Sequence, residues 1–117
     1  MRIVIGGCRN FHDYELIERH LDRLLAPYDH SGIVFLSGHC TGVDLLAERY
    51  AKEHALAVEI YPANWKRYGR AAGPIRNEEM VIQADCVVAF WDGASRGTKS
   101  LISYAQKHGK ELHIVTI

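Results

Sequence analysis

Apolar runs and amphipathic stretches take turns along this chain from end to end, and few architectures accept such a pattern. The runs are Arg2–Gly6, Ile33–Ser37, Ala57–Tyr61, Cys86–Trp91 and Leu112–Thr116. They are short and rich in valine and isoleucine, and three are nearly unbroken, as expected of strands covered on both faces. After the first run, Tyr14, Ile17, Leu21, Leu24 and Leu25 keep helical spacing until Pro27 stops it. After the second, Val43, Ala47, Tyr50, Ala51 and His54 do the same, with Thr41 placed to cap and Asp44 three positions on as its capping-box-like partner. After the third, Gly73-Pro74 reads as a helix start, because proline suits the first helical position, and Ile75, Val81 and Ile82 are expected to face the core. Leu101, Ile102 and Ala105 make the fourth stripe, which Gly109 terminates.

Strand–helix repeated four times and closed by a strand predicts a mostly parallel five-stranded sheet with helices on both faces. With 117 residues, one domain over residues 1–117 is expected. In such sheets ligands bind beyond the carboxyl ends of the strands. All four strand-to-helix loops must open on that edge, and the candidate chemistry lies in them.

The first loop, Gly6 to Asp13, places two glycines and Arg9-Asn10 directly after a strand. It reads either as a phosphate-binding turn, with Arg9 forking onto the anion, or as a plain tight turn with a solvated arginine. The second, Ser37 to Asp44, brackets His39-Cys40-Thr41 between Gly38 and Gly42 and leads into a helix N-terminus, a ready anion site. Asp44 there can cap its own helix or bind a ligand hydroxyl. The fourth, Asp92 to Lys99, offers the Asp92 carboxylate for a ribose and Gly97-Thr98 for a phosphate, or Thr98 as a simple N-cap.

The third loop, Pro62 to Asn77, carries Lys66, Arg67, Arg70 and Arg76 and no acid, with Trp65 and Tyr68 interleaved. Fourteen basic residues balance fourteen acidic ones over the whole chain, which argues against coating a polyanion by bulk attraction. This segment nevertheless concentrates positive charge beside aromatic rings that can stack on bases. Its length is unusual for a strand-to-helix connection and points to function; the plainer alternative is a solvated basic loop with Trp65 as a core plug.

Three cysteines without close pairs do not form a disulfide framework, and no long apolar stretch resembles a signal peptide or a membrane span. A reducing cytoplasm is the expected compartment. Cys8, His12, His39 and Cys40 lie in neighbouring loops, so a zinc site is conceivable, although metal ligands usually show tighter spacing. A nucleophilic Cys8 or Cys40 would need a paired base. Cys86, His54, His108 and His113 read as structural residues.

The segments GGCRNFHD, SGHCTGVDLLAERYA, GPIRNEEM and DGASRGTKSLISYA, which span almost the whole chain, resemble the YspA/YpsA-related branch of the SLOG superfamily. The resemblance implies a Rossmann-like three-layer α/β/α fold with strand order 3-2-1-4-5, a nucleotide or nucleotide-derived ligand such as ADP-ribose, and a place in bacterial or phage conflict. By motif, the implied ligand-binding positions are Gly7, Arg9, Gly38, Gly42, Asp44, Arg76, Asn77, Gly97 and Thr98. Asn10, Thr41, Asp92 and Gly93 join them from the loop reading. LOG-type hydrolases of the superfamily carry Pro-Gly-Gly-x-Gly-Thr-x-x-Glu, whose last carboxylate is catalytic; aligning on Gly97-Thr98 puts Leu101 at that place, and the Pro-Gly-Gly portion is absent. Cleaving an N-glycosidic bond needs a carboxylate near it. Three readings follow, in this order: a module that binds a phosphate-bearing nucleotide-derived molecule, a nucleotide hydrolase using Asp44 or Asp92, and a DprA-like single-strand binder. A homodimer or higher homo-oligomer is expected, with no membrane partner.

Overall fold

A computed structural model describes residues 1–117. The elements run β1 (Arg2–Gly7), α1 (Tyr14–Leu25), β2 (Val34–Ser37), α2 (Val43–Glu53), β3 (Ala57–Ile60), α3 (Trp65–Tyr68), α4 (Ala72–Gln83), β4 (Cys86–Trp91), α5 (Arg96–Lys107) and β5 (Glu111–Thr116), with short 3-10 turns at His30–Gly32 and Gly69–Ala71. All five strands pair in parallel in the order β3-β2-β1-β4-β5, the expected order. The unbroken apolar runs became the three inner strands, and the two mixed runs became the edges. Interior residues of β1 and β4 are buried throughout, whereas β3 and β5 carry exposed positions.

Two apolar layers clamp the sheet. On one face α1 and α2 cover Ile3, Ile5, Phe35, Val88 and Phe90; on the other α4 and α5 cover Val4, Leu36 and Val87. Helix α1 shows why the sequence folds this way. Asp13 caps it by accepting from the Leu16 amide at 3.2 Å, and Ile17, Leu21 and Leu25 point inward at 0–3% exposure. Each such side chain contributes roughly 1.5–3 kcal/mol by leaving water. No helix is long and apolar enough to cross a membrane.

The third segment departs from expectation. It is not a long irregular loop: α3 and a 3-10 turn fill most of it, and α4 begins at Ala72, so Pro74 sits third in the helix. An amide is still not needed there, because the first turn has no intrahelical acceptors. Ile82 is exposed at 49%, against expectation, and Ile75 is only partly buried. The buried face of α4 is instead Ala72, Gly73, Arg76, Asn77, Met80 and Val81. Two polar residues occupy core-facing positions, so apolar spacing pointed to the wrong side of the helix. Trp65 is no core plug either; it is 53% exposed.

Candidate functional site

A cleft of about 470 Å³ opens where the strand order reverses, beyond the carboxyl tips of β1 and β4. Volume and place are those of ligand sites in open parallel sheets. Gly7, Arg9 and Asn10 line it from the first loop, Asp44 from α2, Arg76 and Asn77 from α4, Asp92 from the end of β4, and Gly97 and Thr98 from α5. Gly38 and Thr41 line a smaller adjoining hollow with His39 and Trp65, and Arg9, Cys40 and Arg76 border both. Gly42 and Gly93 line neither. Of the four basic residues in Pro62–Asn77, only Arg76 reaches the cleft. Lys66, Arg67 and Arg70 stay in solvent.

Arg76 is buried at 6% exposure and ties three segments together. Its Nε donates to Asn77 Oδ1 at 3.0 Å, and its Nη1 donates to the carbonyls of Gly38 at 2.9 Å and Tyr61 at 3.3 Å. Nη2 makes a long contact of 3.7 Å with the Cys40 sulfur. Most of its five donors are thus spent on the protein, and what Arg76 mainly offers a ligand is charge. Gly38 exists for this strut: a Cβ there would stand 2.7 Å from Nη1. Asn77 passes the tie onward, donating to the Gly97 carbonyl at 3.3 Å.

Asp44 is 7% exposed in the first turn of α2 and accepts from the Cys40 amide at 3.3 Å. It does not pair with Thr41 in a capping box: Thr41 is exposed, and Gly42 holds the cap position without a side-chain bond. Burial pushes the Asp44 carboxyl up to about 6, opposed by the Cys40 amide and the Arg76 charge. Between its unfolded value near 4 and about 6, the native state holds a proton that the unfolded chain has lost, so stability falls as pH rises through this window. The Asp44→Asn variant should lack that slope, by about 2–3 kcal/mol over the window. Urea unfolding of both proteins across pH 4–7 reads the difference.

Helix α5 starts earlier than the Gly97-Thr98 motif indicated. Ser95 is its cap, with its Oγ accepting from the Thr98 amide at 3.4 Å and lying 3.1 Å from Thr98 Oγ1. Thr98 is therefore a buried first-turn residue rather than the N-cap. Asp92 closes the turn before the helix: its Oδ1 accepts from the Ala94 and Ser95 amides, both at 2.8 Å, and these bonds hold its pKa below the usual carboxylate range. Nothing lies within 4 Å of a Cβ placed on Gly97, on the cleft wall. Gly97→Ala should leave stability unchanged or raise it by about 0.5–1 kcal/mol, as alanine favours helix. If a ligand approaches this backbone closely, the same variant loses ligand affinity, and paired unfolding and binding curves separate the two effects.

The cleft also takes Cys8, Cys40, Ala94, Ser95 and Leu101, none of them singled out from the sequence as ligand-binding. Ser95 had a signal, a serine three residues before Thr98 at a helix start. The zinc grouping of Cys8, His12, His39 and Cys40 does not assemble. Cys8 is buried with its thiol toward the Phe90 carbonyl, and His39 Nδ1 lies 2.9 Å from Glu48. Leu101 is buried at 3% exposure, so the position aligned with the hydrolase glutamate holds an aliphatic side chain against the cleft wall.

The sequence model described as the YspA, cpYpsA-related SLOG family matches residues 1–68. The gene 61 protein of Mycobacterium phage D29 is 35% identical over 118 residues, covering 92% of this chain and 90% of that one. Among solved structures, DNA processing protein A (DprA) from Streptococcus pneumoniae superposes with a TM-score of 0.77 at 14% identity, over 97% of this chain and 49% of that one. DprA from Helicobacter pylori, described there by its single-stranded DNA binding mode, gives 0.68 at 22% identity, over 97% and 64%. The structural-genomics target TM1055 gives 0.68 at 21% identity, over 95% and 71%. The chain thus spans about half to two-thirds of the DprA chains, and at these identities the likeness is one of fold.

Proposed function

The chain belongs to the YspA, cpYpsA-related SLOG family, and on that footing we propose that it captures a phosphate-bearing, nucleotide-derived small molecule in the cleft at the carboxyl edge of its sheet. One observation carries this reading. The fold buries five polar or charged side chains, and four of them, Asp44, Arg76, Asn77 and Thr98, line this cleft. Burying such groups costs free energy that apolar residues would not. Arg76 forms no direct ion pair with a carboxylate and shares its charge with nearby Asp44, while Arg9 is exposed at the mouth with its fork free for a phosphate.

Calorimetric titration with ADP-ribose, ATP and cyclic AMP tests the reading. Saturable one-site binding of at least one is expected. Arg9→Ala should weaken it about 10–100-fold, the worth of a charge-assisted hydrogen bond, while changing unfolding free energy by less than about 0.5 kcal/mol. Failure of all three to bind would sink the proposal. Release of free base or phosphate during incubation would turn it toward hydrolysis, with Asp44 and Asp92 as the available carboxyls.

A second reading rests on α3. Trp65 and Tyr68 are exposed at 53% and 39% beside Lys66, Arg67 and Arg70, which have no acidic partner. This is the composition of a single-strand platform, and the Helicobacter pylori DprA structure is described by such binding. If these three cations engage phosphates, the logarithm of oligonucleotide affinity should fall with the logarithm of salt at a slope of about −2. A flat response removes this reading.

A further inference from the structure

At the opposite edge of the sheet, far along the strands from the cleft, a thiol, an imidazole and a carboxylate meet. We propose that Cys86, Glu111 and His113 form a three-ligand site for a divalent cation of the zinc class. Parallel pairing sets Cys86 beside Glu111 and Val88 beside His113. Because side chains alternate along a strand, Glu111 and His113 share one face, and Cys86 stands next to them on it. Their donor atoms all lie within 4.8 Å of one another, and His113 Nε2 is 3.5 Å from Glu111 Oε1. Bonds of 2.0–2.3 Å in a tetrahedral zinc site place its donors about 3.3–3.8 Å apart, a spacing within small side-chain rotations of this one.

The donor chemistry is selective. Thiolate, imidazole and carboxylate together suit zinc and its neighbours in the transition series, whereas magnesium and calcium prefer oxygen alone. Cys86 is 5% exposed and anchored in the inner strand β4, while the Glu111 and His113 side chains are 55% and 40% exposed on the edge strand β5. One donor is therefore fixed by the core and two can close from solvent. The cluster faces a cavity of about 90 Å³ that Leu24, Leu25 and Tyr28 also line. That leaves room for a water as fourth ligand, the arrangement of three protein ligands and one open position. Binding exchanges the Cys86 S–H bond for a sulfur–metal bond and releases the proton to solvent. His113 binds as the neutral imidazole, and no electron is transferred.

The probe is Co²⁺ titrated into the reduced full chain and then displaced with Zn²⁺. One equivalent should produce thiolate-to-cobalt charge-transfer absorption in the near ultraviolet together with intense visible bands of four-coordinate cobalt. Cys86→Ser should abolish the charge-transfer band. His113→Ala should weaken affinity by about 100-fold or more, since even outer-shell partners of a metal site are worth 10–100-fold. Glu111→Gln should weaken it as well. Cys8→Ser and Cys40→Ser should leave the spectrum unchanged. Should Cys86→Ser not fold, the two edge-strand variants carry the test, because their side chains are only partly buried on an edge strand. The proposal is overturned by no charge-transfer band in the wild type, by a band that survives Cys86→Ser or vanishes with Cys40→Ser, or by wild-type affinity in both edge-strand variants.

Discussion

Replacing Gly42 by alanine should unfold the first two loops, with a loss of about 4 kcal/mol or more or no folded protein at all. Gly42 has φ +81° and ψ −130°, a conformation essentially closed to residues with a Cβ. Space is lacking as well. The added carbon would overlap the Cys8 carbonyl oxygen and stand 2.6 Å from the Arg9 backbone. The neighbour it strikes is backbone, which cannot swing aside. That carbonyl accepts from the Val43 amide at 3.2 Å, the bond that seats the start of α2 against the end of β1. Strain, overlap and a broken buried hydrogen bond act together, which places the variant in the rare class of large single-residue effects. Urea unfolding followed by circular dichroism measures it, and a loss under about 1 kcal/mol would show that the two loops are not locked as described. Gly42 lines neither hollow, and its conformation serves this close approach of the two loops.

The Arg76→Ala variant should cost about 3 kcal/mol or more and should also move the titration of Asp44. Truncation strands the Gly38 and Tyr61 carbonyls and the Asn77 side chain without their donor, and each buried orphan costs about 1–3 kcal/mol. It also removes the cation that helps hold the Asp44 carboxyl down to about 6. The stability slope assigned to Asp44 should then extend to higher pH, a shift that mere loss of packing would not produce. Arg76→Lys keeps the charge but not the fork, so it should restore the Asp44 titration while recovering only part of the stability. Unfolding curves across pH for the three proteins separate these effects.

What the sequence disclosed depended on whether a signal was local. The runs RIVIG and CVVAFW announced buried inner strands because burial on both faces requires unbroken apolar side chains, and the structure seats them as β1 and β4. Pro27 and Gly109 mark helix ends by chemistry that acts within a few residues, whereas the Asp13 cap of α1 emerges only in the structure. Helix α4 was misjudged because its inward positions include Arg76 and Asn77, whose burial depends on carbonyls contributed from elsewhere in the chain. Thr41 was expected to cap α2, yet the cap is Gly42, chosen by a contact with Cys8 that no spacing rule contains. In the basic segment, counting charge put Lys66, Arg67, Arg70 and Arg76 together. Helical geometry divides them into three solvated cations and one buried strut. The cleft itself was legible as a convergence of loops, since a parallel sheet delivers all of them to one edge. Which donors remain free there was not, because that follows from tertiary hydrogen bonds.

Ligand capture at the carboxyl edge between β1 and β4, as proposed, would show in amide chemical shifts. A chain of 13.2 kDa gives resolved spectra of nearly every amide. Titrating ¹⁵N-labelled protein with ADP-ribose or ATP should move the amides of Gly7 to Asn10, of Cys40 to Asp44 and of Asp92 to Thr98 in a saturable, one-site manner, leaving β3 and β5 in place. The same titration of Arg9→Ala should need about 10–100-fold more ligand. Shifts gathered instead on Trp65 to Ala71, or none with either nucleotide, would overturn capture at this edge.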